Sequence, residues 1–207
     1  MTKRFSLTCV LTAGVLLLLC CALTWAGTAK EELRPIPAAE AEKRTNDTRD
    51  FVMDLMAGQI DKLWHGGKWE DCIRLTRQTI ELDPHDTEAW TDLGWVLANM
   101  NRDAEAIEAY RAGIRANPGN FDIYQQFGLL YDRRHKYNEA VEQFRKAAAN
   151  GAPRAWQHMV PRTLEKAGRK QEALDEWRAL LKRFPNEQAA QKEIKRLEGE
   201  LNRARPV

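Results

Sequence analysis

Residues 87–120 read TEAWTDLGWVLANMNRDAEAIEAYRAGIRANPGN, and two helices are legible in them. Trp90, Leu93, Gly94 and Leu97 fall at i, i+3, i+4 and i+7, the spacing of one helix face. Ala106, Tyr110, Gly113 and Ile114 make a second such stripe. Gly94 and Ala106 lack bulk, which lets the two helices approach closely. Tyr110 then fills the space between this pair and the next. Pro118 stops the second helix, and Asn120 stands where it caps the following one.

The same layout recurs on both sides. A small residue preceded by Glu or Asp stands at Cys72, Ala106, Ala140 and Ala173, at spacings of 34, 34 and 33 residues. Four residues after each come Thr76, Tyr110, Phe144 and Trp177, and twelve after each come Pro84, Pro118, Ala152 and Pro185. The repeats are therefore 53–86, 87–120, 121–153 and 154–187, within a helical region spanning 51–187. One helix pair cannot bury its apolar face alone, whereas stacked pairs form a continuous core. Residues 188–207 read as a capping helix and tail, with Ala190, Ile194, Leu197 and Leu201 on one narrow apolar stripe. A coiled-coil helix is the alternative there, but the segment is too short for three or four heptads.

These residues resemble the tetratricopeptide repeat family, whose pattern is W-x2-L-G-x2-Y, then A-x3-F, then P over 34 residues. Residues 87–120 match as Trp90, Leu93, Gly94, Leu97, Ala106, Tyr110 and Pro118. Residues 121–153 match through Tyr124, Phe127, Gly128, Tyr131, Ala140 and Phe144, with Pro153 one place late. Residues 154–187 match through Gly168, Ala173, Trp177 and Pro185. Pro161 replaces the expected glycine, so that first helix should be kinked or start late. Residues 53–86 match from Gly67 onward, and Met56, Gln59 and Ile60 replace the first-helix signature. The resemblance implies an all-α fold: a right-handed superhelical solenoid of about four antiparallel helix pairs plus the C-terminal capping helix.

It also implies a concave groove, lined by the first helix of each pair, that binds a peptide or a partner protein. The helix face opposite the core stripe supplies the candidates. They are Asp61, Trp64 and His65; Thr91, Trp95 and Asn99; Gln125, Leu129, Asp132 and Arg133; and His158, Arg162 and Lys166. Trp64 and Trp95 read either as binding anchors or as packing against neighbouring helices. Trp69, Trp156 and Trp177 read as core or inter-repeat packing. Arg162 and Lys166 make one end of the groove basic and Asp61 makes the other acidic. Some family members clamp acidic chaperone tails with a Lys/Asn/Arg set. Ala57, Asp61, Asp92, Asp122 and Gln126 stand at those places and argue against that role.

Residues 1–26 are of a different kind. Lys3 and Arg4 precede an apolar run from Val10 to Ala22, and Thr24-Trp25-Ala26-Gly27 ends it with small residues. This is the layout of a secretory signal peptide; an uncleaved membrane anchor is the alternative, and the run is slightly short for a span of roughly 20 residues. Residues 27–50 read as a polar linker, in which Pro35 and Pro37 block helix continuation. The expected location is outside the cytoplasm, periplasmic or secreted after cleavage and membrane-anchored without it. Cleavage would leave Cys72 as the one cysteine, so packing rather than disulfides holds the domain.

Composition narrows the function. Lys plus Arg is 32 and Asp plus Glu is 30, a net charge of +2 that makes no case for nucleic acid as partner. Gly66-Gly67-Lys68 lacks the upstream glycine of a P-loop, and neither H-E-x-x-H nor G-x-S-x-G occurs. His158 with Glu165, or His65 with Asp61, has helical spacing, as exposed polar residues commonly do. Asp83, His85, Asp86 and Glu88 read as a turn with capping acids rather than a metal site. Cys72 reads as buried and inert. The expected protein has no catalytic residue, no metal and no cofactor. It is a protein-interaction module acting as adaptor or assembly factor. The alternative is a membrane-tethered scaffold or spacer that self-associates.

Overall fold

A computed structural model describes residues 36–204. The signal segment 1–26, the linker up to residue 35 and residues 205–207 lie outside the described residues. The helices are α1 (Ala38–His65), α2 (Trp69–Leu82), α3 (Thr87–Asn99), α4 (Asp103–Ala116), α5 (Phe121–Arg133), α6 (Tyr137–Ala149), α7 (Arg154–Gln157), α8 (Met159–Lys166), α9 (Lys170–Arg183) and α10 (Gln188–Arg203). There is no strand among the described residues.

The chain divides into two compact units between Asp47 and Thr48, inside α1. The described part of the first unit is solvated helix, and residues 38–50 of the expected linker are helical. Pro37 opens that helix instead of blocking it: its carbonyl accepts the amides of Glu40 and Ala41 at 2.9 Å. Arg44 and Glu40 pair at 2.6 Å one turn apart. No residue of α1 is buried.

The second unit is an all-helical repeat array. Helix α3 packs on α4, α5 on α6 and α8 on α9, while α2 meets α3, α4 meets α5, and α6 meets α8 across repeats. Helix α10 packs on α9 and buries Ala190 and Leu197, as a cap should. Its polar back is tied to α9 by Lys170–Glu200 at 2.8 Å and Arg178–Glu198 at 2.7 Å.

The same local devices build each repeat. A Cβ on Gly94 would lie 2.4 Å from the Tyr110 ring, and one on Gly128 2.6 Å from the Phe144 ring, so each glycine is the seat of the next helix's aromatic. First helices are pinned to the turn before them: Trp90 Nε1 donates to the Pro84 carbonyl at 2.9 Å, Tyr124 Oη to Pro118 at 3.2 Å, and Gln191 Nε2 to Pro185 at 3.2 Å. Asn120 caps α5 by accepting the amides of Asp122 and Ile123, as its position predicts. In the fourth repeat the helix breaks at His158 and α8 begins at Met159. Pro161 thereby falls in a first turn, where its missing N–H costs no intrahelical bond.

The turn inside each pair needs one left-handed residue. Gly67, Asn101, His135 and Gly168 fill that place with φ of 67°, 59°, 57° and 76°. Histidine has a Cβ that crowds this conformation. His135→Gly should therefore raise stability by roughly 0.5–1 kcal/mol, read as a higher midpoint in urea unfolding. A lower midpoint would show that the 2.7 Å contact between His135 Nδ1 and Tyr137 Oη matters more than backbone strain.

Candidate partner-binding groove

The first helix pair is built differently from the rest. Gly94 and Gly128 have Ile60 as their counterpart in α1, and Tyr110 and Phe144 have Thr76 as theirs in α2. Ile60 holds the backbones apart, and Thr76 is too small to fill the gap. Helices α1 and α2 are accordingly not among the closely approaching pairs. A cleft of about 480 Å³ results, walled by α1, α2 and the start of α3. Thr76 and Thr79 form its floor, their hydroxyls donating to the carbonyls of Cys72 and Leu75. Ala57, Ile60 and Trp64 give it an apolar side.

The rim is acidic. Asp54, Asp61, Asp86, Glu88 and Asp92 all line the cleft, with His65 beside Asp61 at 3.2 Å. Asp86 spends one oxygen capping α3, accepting the Ala89 amide at 3.0 Å. Asp92 is half-buried, and burial, with Glu88 and Asp86 nearby, pushes its carboxyl up to about 6. Below the cleft, burial pushes the Cys72 thiol up as well, which fits the inert cysteine read from the sequence.

Trp64 and Trp95 meet. Their rings stack at 4.4 Å and 25°, and Trp69 sets its edge on Trp64 at 5.5 Å. Both are half-buried against the core, so the packing reading holds for the pair, while Trp64 still shows a face to the cleft. Trp177 is fully buried as expected. Trp69 and Trp156 are corrected: they are 36% and 37% exposed. Trp69 opens α2 and Trp156 lies in the one-turn helix α7.

The other candidates divide. Asp61, His65, Asn99, Arg133 and Arg162 are exposed, and Thr91 and Leu129 are half-exposed. Gln125 is corrected: it is 3% exposed and belongs to the interior. His158 is corrected too, with its ring packed 5.2 Å from Trp177 and its Nε2 3.7 Å from Glu187. The break before α8 turns it inward, and burial holds its imidazole below the usual histidine range. Lys166 and Asp132 neutralise each other at 2.6 Å across the third and fourth repeats. The basic end of the groove is thus weaker than expected and the acidic end stronger. Thr76 and Asp92 were missed as site residues. The signal for Thr76 was its place in the register, where every other repeat has an aromatic.

Two family models described as Tetratricopeptide repeat match residues 121–149 and 162–187, the helices just described. The chain carries tetratricopeptide repeats. A model described as Bacterial transcriptional activator domain matches residues 11–123, over half of the chain, which belongs to that family. The described part of that span carries the same helix pairs on the same register. Among curated proteins, Protein bimA of Emericella nidulans is 31% identical over 85 residues, 41% of this chain and 10% of that protein. The Peroxisomal targeting signal receptor of Kluyveromyces lactis is 34% identical over 76 residues, 37% of this chain and 13% of that protein. The chain spans about a tenth of the length of these curated relatives. Among solved structures, pilF of Pseudomonas aeruginosa superposes with a TM-score of 0.57 at 17% identity, covering 75% of this chain and 72% of that one. YrrB, described as a TPR protein with an unusual peptide-binding site, gives a TM-score of 0.51 at 17% identity, covering 70% and 75%. At these identities the likeness shows the fold. A tetratricopeptide repeat array is a protein–protein interaction module.

Proposed function

We propose that this protein is a non-catalytic adaptor or assembly factor outside the cytoplasm, holding a peptide segment or partner surface in the groove of its first helices. The observation that carries the reading is the open first-repeat cleft beside the Trp64–Trp95 stack: space, apolar wall and aromatic surface in one place. The near-balance of 32 basic and 30 acidic residues favours protein over nucleic acid as the partner. The location rests on residues 1–26, whose cleavage would give a mature chain beginning at Gly27.

The test is crosslinked capture from the host envelope, wild type against Trp64→Ala/Trp95→Ala, with the variant checked for folding by circular dichroism. Prey recovered with wild type should fall about tenfold or more with the variant, as for loss of an aromatic hot spot. Equal recovery would move the partner off the groove. Sequencing the N-terminus of the mature protein checks the location: an intact Met1 start would replace the free exported form with a tethered one.

A further inference from the structure

We propose that the first-repeat cleft takes a basic side chain, arginine or lysine, from an extended segment of a partner protein, and that Asp92 is the carboxylate that pairs with it. This rests on the groove reading above and adds the chemistry of the occupant.

Shape comes first. The cleft exists because Ile60 and Thr76 exchange the sizes found at Gly94 and Tyr110, so its volume of about 480 Å³ is built into the register. Ala57, Ile60 and Trp64 offer apolar surface to the methylene stem of a long side chain, which covers such surface while its head seeks charge.

Charge selects the head. Five carboxylates line the cleft, and His65 is the one basic side chain among them. An acidic segment would be repelled there, whereas a basic one meets complementary potential. The carboxylates are spread along the walls, with no three placed to hold one metal ion among the described residues, which suits a long organic cation.

Asp92 is the half-buried member without an internal answer. Asp61 has His65, Asp86 caps α3, and Asp54 and Glu88, which have no side-chain partner among the described residues either, are exposed to solvent. No hydrogen bond or ion pair reaches Asp92 among the described residues, and its charged neighbours Glu88 and Asp86 carry the same sign. A half-buried, unpaired carboxylate is unfavourable until a cation arrives. A guanidinium or ammonium group supplies the missing partner and relieves the repulsion at once.

The test uses the full chain and four pools of fluorescein-labelled nonapeptides, with degenerate flanks and a fixed central Arg, Lys, Leu or Glu, read by anisotropy. The Arg and Lys pools should bind about tenfold or more tightly than the Leu pool, and the Glu pool most weakly. Asp92→Asn should erase the preference for Arg and Lys while leaving the Leu pool unchanged. Ile60→Gly/Thr76→Tyr rebuilds the glycine–aromatic pairing of the second repeat and, folded by circular dichroism, should weaken all pools by closing the cleft. Equal binding of the Arg and Leu pools would overturn the inference and leave the groove reading standing. A preference that survives Asp92→Asn would overturn it too. Binding of no pool at all would bring down the groove reading, and the inference with it.

Discussion

Trp177→Ala should cost about 3–5 kcal/mol of stability, the usual range for deleting a fully buried large aromatic, and the loss should fall on the C-terminal half first. Trp177 is 0% exposed and sits among Ala140, Phe144, Leu164, Leu174 and Leu197. Its indole N–H donates to Glu165 at 3.4 Å, and His158 closes the ring's other side. Alanine would leave a cavity between α8 and α9 that backbone movement fills poorly, because the broken helix at His158 and the buried Pro161 already fix that wall. The core is divided, with one cluster from Cys72 to Leu130 and another from Ala140 to Leu197. Repeat arrays couple through neighbours, so weakening one interface can split a single transition in two. Urea unfolding followed by circular dichroism should show an early transition for the C-terminal repeats and a later one near the wild-type midpoint. Trp177→Phe, which keeps an aromatic there, should lose less than half as much. A single transition shifted by under about 1 kcal/mol would mean that the second cluster does not depend on this ring.

Much of this architecture was legible in the chain, because periodicity repeats its message. Trp90, Gly94, Ala106, Tyr110 and Pro118 each perform in the structure the task their size and spacing implied, and Asn120 caps where it was placed. The proline at 161 announced the broken fourth repeat. The interior of the groove was harder to read. Which first-helix residues face solvent depends on helix rotation and on breaks in the backbone, and the break in the fourth repeat falls at His158 itself, whose side chain lies inward. Gln125 and Asp132 failed as free groove groups for a related reason: burial and a cross-repeat partner are tertiary facts that no single repeat encodes. Part of the expected linker is helical because Pro37 stands at a helix start, where a proline is favourable. The cleft could have been found by asking which repeat lacks its aromatic, and Thr76 answers that at once.

Asp92→Asn should make the protein more stable at neutral pH even as it removes the proposed basic preference. The groups that face Asp92 are Asp54, Asp61 and His65 from α1, Cys72 from α2, Asp86 and Glu88 at the start of its own helix, and Tyr110 from α4. Burial and the two nearest acids raise its carboxyl from 3.8 to about 6. The folded state then holds a proton that the unfolded chain releases near 4, so the contribution of Asp92 to stability is fully present below that pH, is lost as pH rises from about 4 to about 6, and is constant above. A shift of this size corresponds to about 3 kcal/mol, and solvent at the exposed part of the group reduces that to roughly 1–2 kcal/mol. Asparagine keeps the shape without the charge. The difference between Asp92→Asn and wild type should be near zero at pH 4 and grow to that value by pH 7.5, in parallel urea titrations where all other acids cancel. Equal stability of the two proteins at pH 7.5 would mean that the carboxylate is already paid for in the free protein and would remove the reason for it to seek a cation. A widening gap would show a chain that carries an unstable charge where a partner's basic side chain can use it.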